Sequence, residues 1–256
     1  MEYKEVRTRE TWHSVYTGPM EEVLRQPGMS DSVDFIFTSP PYNFGMEYGS
    51  HYDDSKSWAS YYQGMHTWLS EMYRVLTMGG RLCLMHYFSG GTAQERVTPL
   101  MTINEMAVSM GYKHHAVILW YDRTISRRTA WGSWMMPSAP YINSPMEGIL
   151  VLYKDTWKRP KPRDTAVSTI SREEFMAGAL GIWDDIPAEK DRSKNPAPFP
   201  LGLPRRAIEL LTWSGDTVLD PFAGSGTTAV AALKKARNSI SIDIEPAQSA
   251  YTVERL

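Results

Sequence analysis

Short apolar runs rich in Val, Ile, Leu and Phe alternate along the chain with longer stretches in which apolar positions recur every three or four residues. An unbroken or alternating apolar run marks a strand, and the longer period marks a helix. Strands are predicted from Val33 to Phe37, Arg81 to His86, His115 to Trp120, Gly148 to Tyr153, Thr217 to Asp220 and Ser239 to Asp243. Helices are predicted over about Trp58 to Leu76, Pro99 to Met110, Leu203 to Trp213 and Thr227 to Ala236. This alternation predicts an α/β, doubly wound, Rossmann-like sheet covered on both faces. The pattern breaks over residues 154–194, where Pro160, Pro162 and Pro187 are scattered among charges, and a small irregular insertion is expected there. Residues 1–153 and 195–256 then form one core domain.

Composition narrows the setting. With 256 residues, 42% of them hydrophobic, the chain can bury one full core. The single cysteine, Cys83, allows no intrachain disulfide and no multi-cysteine metal site, which favours a reducing cytoplasm. The six histidines are dispersed, so no metal is expected. No apolar run reaches membrane length, and the charged N-terminus lacks the apolar core of an export signal. A formal net charge of −2 argues against a basic coat, but local clusters exist at Arg123, Arg127 and Arg128, at Lys158, Arg159, Lys161 and Arg163, and at Arg205 and Arg206.

Two segments carry chemistry. Asp220 ends a strand and opens into Gly224-Ser225-Gly226 before a helix. Small residues there let backbone approach a ligand, toward which the helix turns its unpaired N–H groups and positive dipole end. Asp243, 23 residues further on at the end of the next strand, is suited to ribose hydroxyls. Gly226 is followed by Thr227-Thr228-Ala229, which fits neither a P-loop nor a dinucleotide glycine pattern. Asp220 is placed to hold an ammonium group, which suits S-adenosylmethionine; a tight turn without ligand is the plain alternative.

The second segment is Thr38-Ser39-Pro40-Pro41-Tyr42. Prolines remove N–H donors and stiffen the chain, leaving carbonyls as rigid acceptors. Ser39 and the Pro40 carbonyl would accept both protons of an exocyclic amine and free its lone pair, while Tyr42 would stack on a base flipped from duplex DNA. Standing alone, the segment reads better as a proline-rich strand end with a surface tyrosine.

Together the two segments resemble the β class of S-adenosylmethionine-dependent DNA amino-methyltransferases of bacteria, archaea and phages, in which the catalytic motif precedes the cofactor motif. Asp220-Pro221-Phe222-Ala223-Gly224-Ser225-Gly226-Thr227-Thr228 is similar to the cofactor motif, and Thr38-Ser39-Pro40-Pro41-Tyr42-Asn43 to the catalytic one. Arg74-Val75-Leu76 with Gly79-Gly80-Arg81-Leu82 resembles the segment between them. Thr129 to Trp134 with Pro140-Tyr141 and Glu147 to Val151 resembles the DNA-facing part, and Asn195 to Pro200 the motif closing over the methionine end.

The resemblance implies a seven-stranded methyltransferase sheet in permuted motif order, with the last strand near the first and a reversed hairpin at one edge. It makes residues 1–153 and 195–256 the methyltransferase catalytic domain and 154–194 a candidate target-recognition region. It implies Ser39, Pro40, Pro41 and Tyr42 as catalytic residues, and Asp220, Pro221, Phe222, Gly224, Ser225, Gly226, Thr227, Asp243 and Phe199 around S-adenosylmethionine. DNA is the implied partner; the family also admits a homodimer and a cognate restriction endonuclease. Aromatic residues beside basic ones, Trp131 and Trp134 near Arg127 and Arg128, are expected on DNA together with Lys158, Arg159 and Lys161. Loops 43–57 and 122–145 are expected to share the readout.

Three departures stand out: Gly18-Pro19 replaces a frequent Gly-Asp whose acid lies near the adenine ring, Asn195 replaces a histidine, and Ser241 a glycine. Ser39 stands where the family's adenine enzymes usually carry Asp, so transfer to cytosine N4 is expected. Adenine N6 is the alternative, and a catalytically silent DNA-binding module of the same fold is a further one. A cytosine-C5 mechanism needs an activated thiolate, and Cys83 sits in an apolar strand.

Overall fold

The computed structural model describes residues 1–48, 51–91, 96–121, 132–140, 142, 146–191, 193, 195 and 197–256. An N-terminal hairpin, β1 (Glu2–Arg7) and β2 (Trp12–Thr17), leads through α1 (Met20–Leu24) to β3 (Val33–Thr38). Then come α2 (Trp58–Val75), β4 (Leu76–Tyr87), a small ribbon of β5 (Gly90–Gly91) and β6 (Arg96–Val97), α3 (Pro99–Ser109), β7 (Lys113–Tyr121) and β8 (Met146–Tyr153). The chain continues through α4 (Arg172–Gly178), β9 (Ile182–Trp183), α5 (Gly202–Leu211), β10 (Thr217–Asp220), α6 (Thr227–Lys234), β11 (Asn238–Asp243) and α7 (Pro246–Arg255).

The main sheet runs β1-β2-β11-β10-β3-β4-β8-β7-β9. Its inner seven strands are the expected sheet, with β8 antiparallel to β4 and β7, and β11 beside β2 as the permuted order requires. Each edge carries one further strand. β1, Glu-Tyr-Lys-Glu-Val-Arg, is almost wholly exposed and has no apolar signal, and β9 is two residues long.

Period two divides the core. Phe35 and Phe37 point into the layer of α5 and α6, and Ile36 into the layer of α1, α2 and α3. α2 is capped by Ser57, whose hydroxyl accepts the Ser60 N–H, and buries Tyr61, Met65, Trp68, Leu69 and Met72 along one stripe. It passes directly into β4, which starts five residues earlier than the apolar run suggests. The register shift between Val33 and Phe35 falls where Gly79, at φ 75°, and Gly80 interrupt the run.

Because β8 runs antiparallel, it delivers the chain to the N-terminal ends of the parallel strands, Tyr153 pairing with Arg81 and Lys113. Residues 154–167 therefore lie on the edge opposite the C-terminal ends of β3 and β10. Arg159 is half-buried there, its guanidinium 2.8 Å from Asp34 and 2.5 Å from Asp216. The rest of the segment climbs back through α4 and β9, so 154–194 builds a sheet edge as well as loops.

Candidate active site

The two motifs meet where β3 and β10 end side by side. Thr38 donates to Asp220 Oδ1 at 2.8 Å, Thr228 to Oδ2 at 2.7 Å, and the Phe222 N–H to Oδ1 at 3.2 Å. Burial raises the Asp220 carboxyl to about 6 against the opposing pull of these donors. Asp220 is thus a buried tie between β3 and α6, not the cavity-facing ammonium ligand expected from the strand end. Gly226 caps α6 in the left-handed region at φ 74°, and a Cβ there would stand 2.5 Å from Thr252.

Beyond this tie opens a cavity of about 970 Å³, at the upper end of what drug-sized ligands occupy. Pro221, Phe222, Gly224, Thr227, Asp243 and Phe199 line it, while Asp220, Ser225 and Gly226 form its backing. Asp243 is fixed by the Gly224 N–H at 2.7 Å on Oδ2 and the Glu245 N–H at 2.8 Å on Oδ1, and burial raises its carboxyl despite both. The Ile244 backbone N–H also reaches the carboxylate, which keeps acceptor capacity for a further donor. Glu21 also faces the cavity, held by the Trp68 indole N–H at 2.7 Å, and Trp68 meets Phe222 edge to face at 4.7 Å. The described lining carries six carboxylates, Glu21, Glu47, Glu147, Glu189, Asp243 and Glu245, against one lysine, Lys56. Such a field attracts a cation and repels phosphate. The sulfonium and ammonium of S-adenosylmethionine fit it.

On the other wall, Ser39 donates to Tyr42 Oη at 3.0 Å, and Tyr42 donates to Glu147 Oε2 at 2.9 Å. Burial, then the Glu147 charge, raises the Tyr42 phenol well above its ordinary range, so it keeps its proton. One face of Tyr42 stacks on His86 at 4.3 Å, and burial lowers that imidazole to about 3, leaving it neutral. Tyr61 donates to the Pro41 carbonyl at 2.8 Å and lies 2.9 Å from His86 Nε2, while Tyr87 donates to the Tyr42 carbonyl at 3.3 Å. Ser39, Pro41 and Tyr42 line the cavity; Pro40 is buried behind them.

The loop after the motif is pinned by Asp54, whose carboxylate accepts the N–H groups of Asn43, Phe44 and Met46 at 2.8 to 3.0 Å. Farther along, the His51 ring reaches Glu245 at 2.8 Å, so the loop spans from the catalytic wall to the cofactor wall.

The expected DNA contacts separate. Trp134 is 65% exposed in a turn closed by a Gly132–Pro140 bridge, beside the exposed Met135 and Met136. Arg127, Arg128 and Trp131 lie outside the described residues. Lys158 and Lys161 are exposed on the edge opposite the cavity. Arg159 is corrected to a structural residue, its charge spent on the buried Asp216 and the half-buried Asp34. Cys83 is fully buried and its thiol is raised by burial, which is no setting for a nucleophile. The sequence places Glu147 only within the segment that resembles the DNA-facing part, with no catalytic role, and gives Glu21 no role. An acid heading the apolar run of β8 was the available signal for the first; the second had none beyond an ordinary acidic first turn.

A family model described as DNA methylase matches residues 33–254. The chain belongs to this family. As a DNA amino-methyltransferase it takes S-adenosylmethionine as methyl donor and DNA as substrate. The type II methyltransferase M.MjaVI of Methanocaldococcus jannaschii is 39% identical over 60% of this chain and 77% of its own length. M.MjaI of the same organism is 28% identical, covering 88% and 86%. TTHA0409 of Thermus thermophilus, a putative DNA modification methylase solved with S-adenosyl-L-methionine, superposes at TM-score 0.72 with 28% identity over 95% of this chain and 91% of its own. The cytosine-N4-specific PvuII DNA methyltransferase shares the fold at TM-score 0.74, with 19% identity over 95% and 86%. No helix among the described residues is long and apolar enough to cross a membrane.

Proposed function

We propose that this DNA methyltransferase modifies the exocyclic N4 amine of cytosine, flipped into the cavity beside Tyr42. The observation that carries the reading is the direction of the Ser39 hydrogen bond. Its proton is given inward to Tyr42, so its oxygen turns a lone pair to the cavity, where it accepts from an amine. A neutral hydroxyl at this position, in place of the carboxylate usual in adenine enzymes, favours cytosine. Pro40 is buried, so Ser39 carries the amine contact and Tyr42 offers the face not taken by His86.

When bound, S-adenosylmethionine supplies an electrophilic methyl group. Asp243 accepts the ribose hydroxyls, and Phe222 with Trp68 walls the adenine. Glu21, two residues beyond the Pro19 that stands in place of the usual acid, accepts the adenine amine through its free oxygen. Catalysis rests on holding amine and methyl in line, a positioning effect of several kcal/mol. Loop 43–57 and the Trp134 turn, both at the cavity end, are the surfaces assigned to DNA.

Mass spectrometry of digested product DNA after incubation with labelled methyl donor tests this. Label on N4-methylcytosine is expected, and label on N6-methyladenine alone overturns the cytosine assignment.

A further inference from the structure

The hydrogen bonds on the catalytic wall all point one way. Ser39 Oγ donates to Tyr42 Oη at 3.0 Å, and Tyr42 Oη donates to Glu147 Oε2 at 2.9 Å. A chain of hydroxyls with aligned donors, open to an amine at one end and ended by a carboxylate at the other, is arranged to carry a proton. We propose that Glu147 is the terminal acceptor of the proton released by methyl transfer, acting through Tyr42 and Ser39. The inference rests on the reading of Ser39 as the group that meets the target amine.

The balance closes without a further reactant. The amine nitrogen forms its bond to the methyl carbon as the carbon–sulfur bond breaks and sulfur keeps the electron pair. The nitrogen, now positive, gives one proton to Ser39 Oγ; the Ser39 proton passes to Tyr42, and the Tyr42 proton to Glu147, which ends as the neutral acid. A lone buried tyrosine cannot take this proton and keep it, because its own is already held. Glu147 gives the chain an end, and it lines the cavity, from which the proton can leave after product departs.

Glu147 is the second residue of β8, between Tyr87 of β4 and Trp120 of β7, its register partners. Among the described residues, the titratable groups near it include Tyr42, Tyr87 and Tyr48, the last raised by burial and by the charges of Asp54 and Glu147, together with neutral His86 behind Tyr42, while Tyr87 in turn feels the charges of Asp54 and Arg96. Glu147 is therefore a positioning residue and proton acceptor, and Ser39 the catalytic residue that touches substrate.

The test is single-turnover methyl transfer across pH with Glu147→Gln, Tyr42→Phe and the double variant. Glutamine still accepts the Tyr42 hydrogen bond but cannot take a proton, and phenylalanine keeps the stacking face. The expected result is a tenfold or larger fall in the transfer rate for each, with S-adenosylmethionine affinity and DNA affinity within twofold of wild type, and a double variant no slower than the singles. The acidic limb of the rate profile, where Glu147 takes up its proton, should vanish in Glu147→Gln and persist in Glu147→Asp. An unchanged limb in Glu147→Gln, or additive losses in the double variant, overturns the relay while leaving the methyltransferase reading intact. Absence of methyl transfer by wild type would instead strike the reading itself.

Discussion

Asp243 is the side chain on which cofactor affinity most depends, since its carboxylate both orders the Gly224 turn and keeps lone pairs toward the cavity. Asp243→Ala should weaken S-adenosylmethionine binding by about 1 to 3 kcal/mol, read by calorimetry on folded protein. Glu21→Ala should weaken it too, and an unchanged affinity would remove Glu21 from the adenine contact. His86 makes a prediction of a different kind. Its folded value lies near 3 against an ordinary 6.5, so the unfolded chain takes up a proton that the buried ring refuses. Its contribution is fully present above pH 6.5 and is lost as pH falls toward 3. Relative to His86→Gln, wild type should lose about 1.4 kcal/mol per pH unit below about pH 6, measured by urea unfolding.

Among elements, the strand-turn-helix from β10 to α6 allows little change. Gly226→Ala would place a Cβ 2.5 Å from Thr252 at a φ of 74°, and should destabilise the fold by about 1 to 3 kcal/mol in thermal unfolding. The segment after β8 gives a paired test of position. Arg159→Ala leaves the buried Asp216, and the half-buried Asp34 beside it, without their cation and should lower stability by about 3 to 5 kcal/mol. Replacing Lys158 and Lys161 should leave both stability and the salt dependence of DNA affinity nearly unchanged, because both face away from the cavity. From sequence alone these three belong, with Arg163, to one basic cluster. Only the antiparallel course of β8 decides that the cluster sits at the wrong edge, and nothing within Lys158-Arg159-Pro160-Lys161 encodes that course. Six of the seven inner strands were legible because apolar runs and glycine turns are local signals; β2, whose Trp12-His13-Ser14-Val15-Tyr16-Thr17 mixes polar with apolar residues, was not, nor were β1 and β9, because an exposed strand and a two-residue strand carry almost no signal.

At the scale of the whole molecule, a net charge of −2 and a cavity rimmed by carboxylates describe a protein that draws in a cationic donor and holds phosphate outside. The site itself was legible as two motifs, but not as a junction, because contacts between distant segments leave no periodic trace. The Thr38–Asp220 hydrogen bond spans 182 residues of chain. During synthesis at about 5 to 20 residues per second, roughly 10 to 40 seconds separate the appearance of its two ends. Through that interval β3 has an open edge where β10 will lie, and the nascent chain holds a catalytic motif with no cofactor wall. Closing the centre of the sheet is thus a late, long-range event that sets a slow folding step, and methyl transfer becomes available only once the ribosome has delivered β10 and β11.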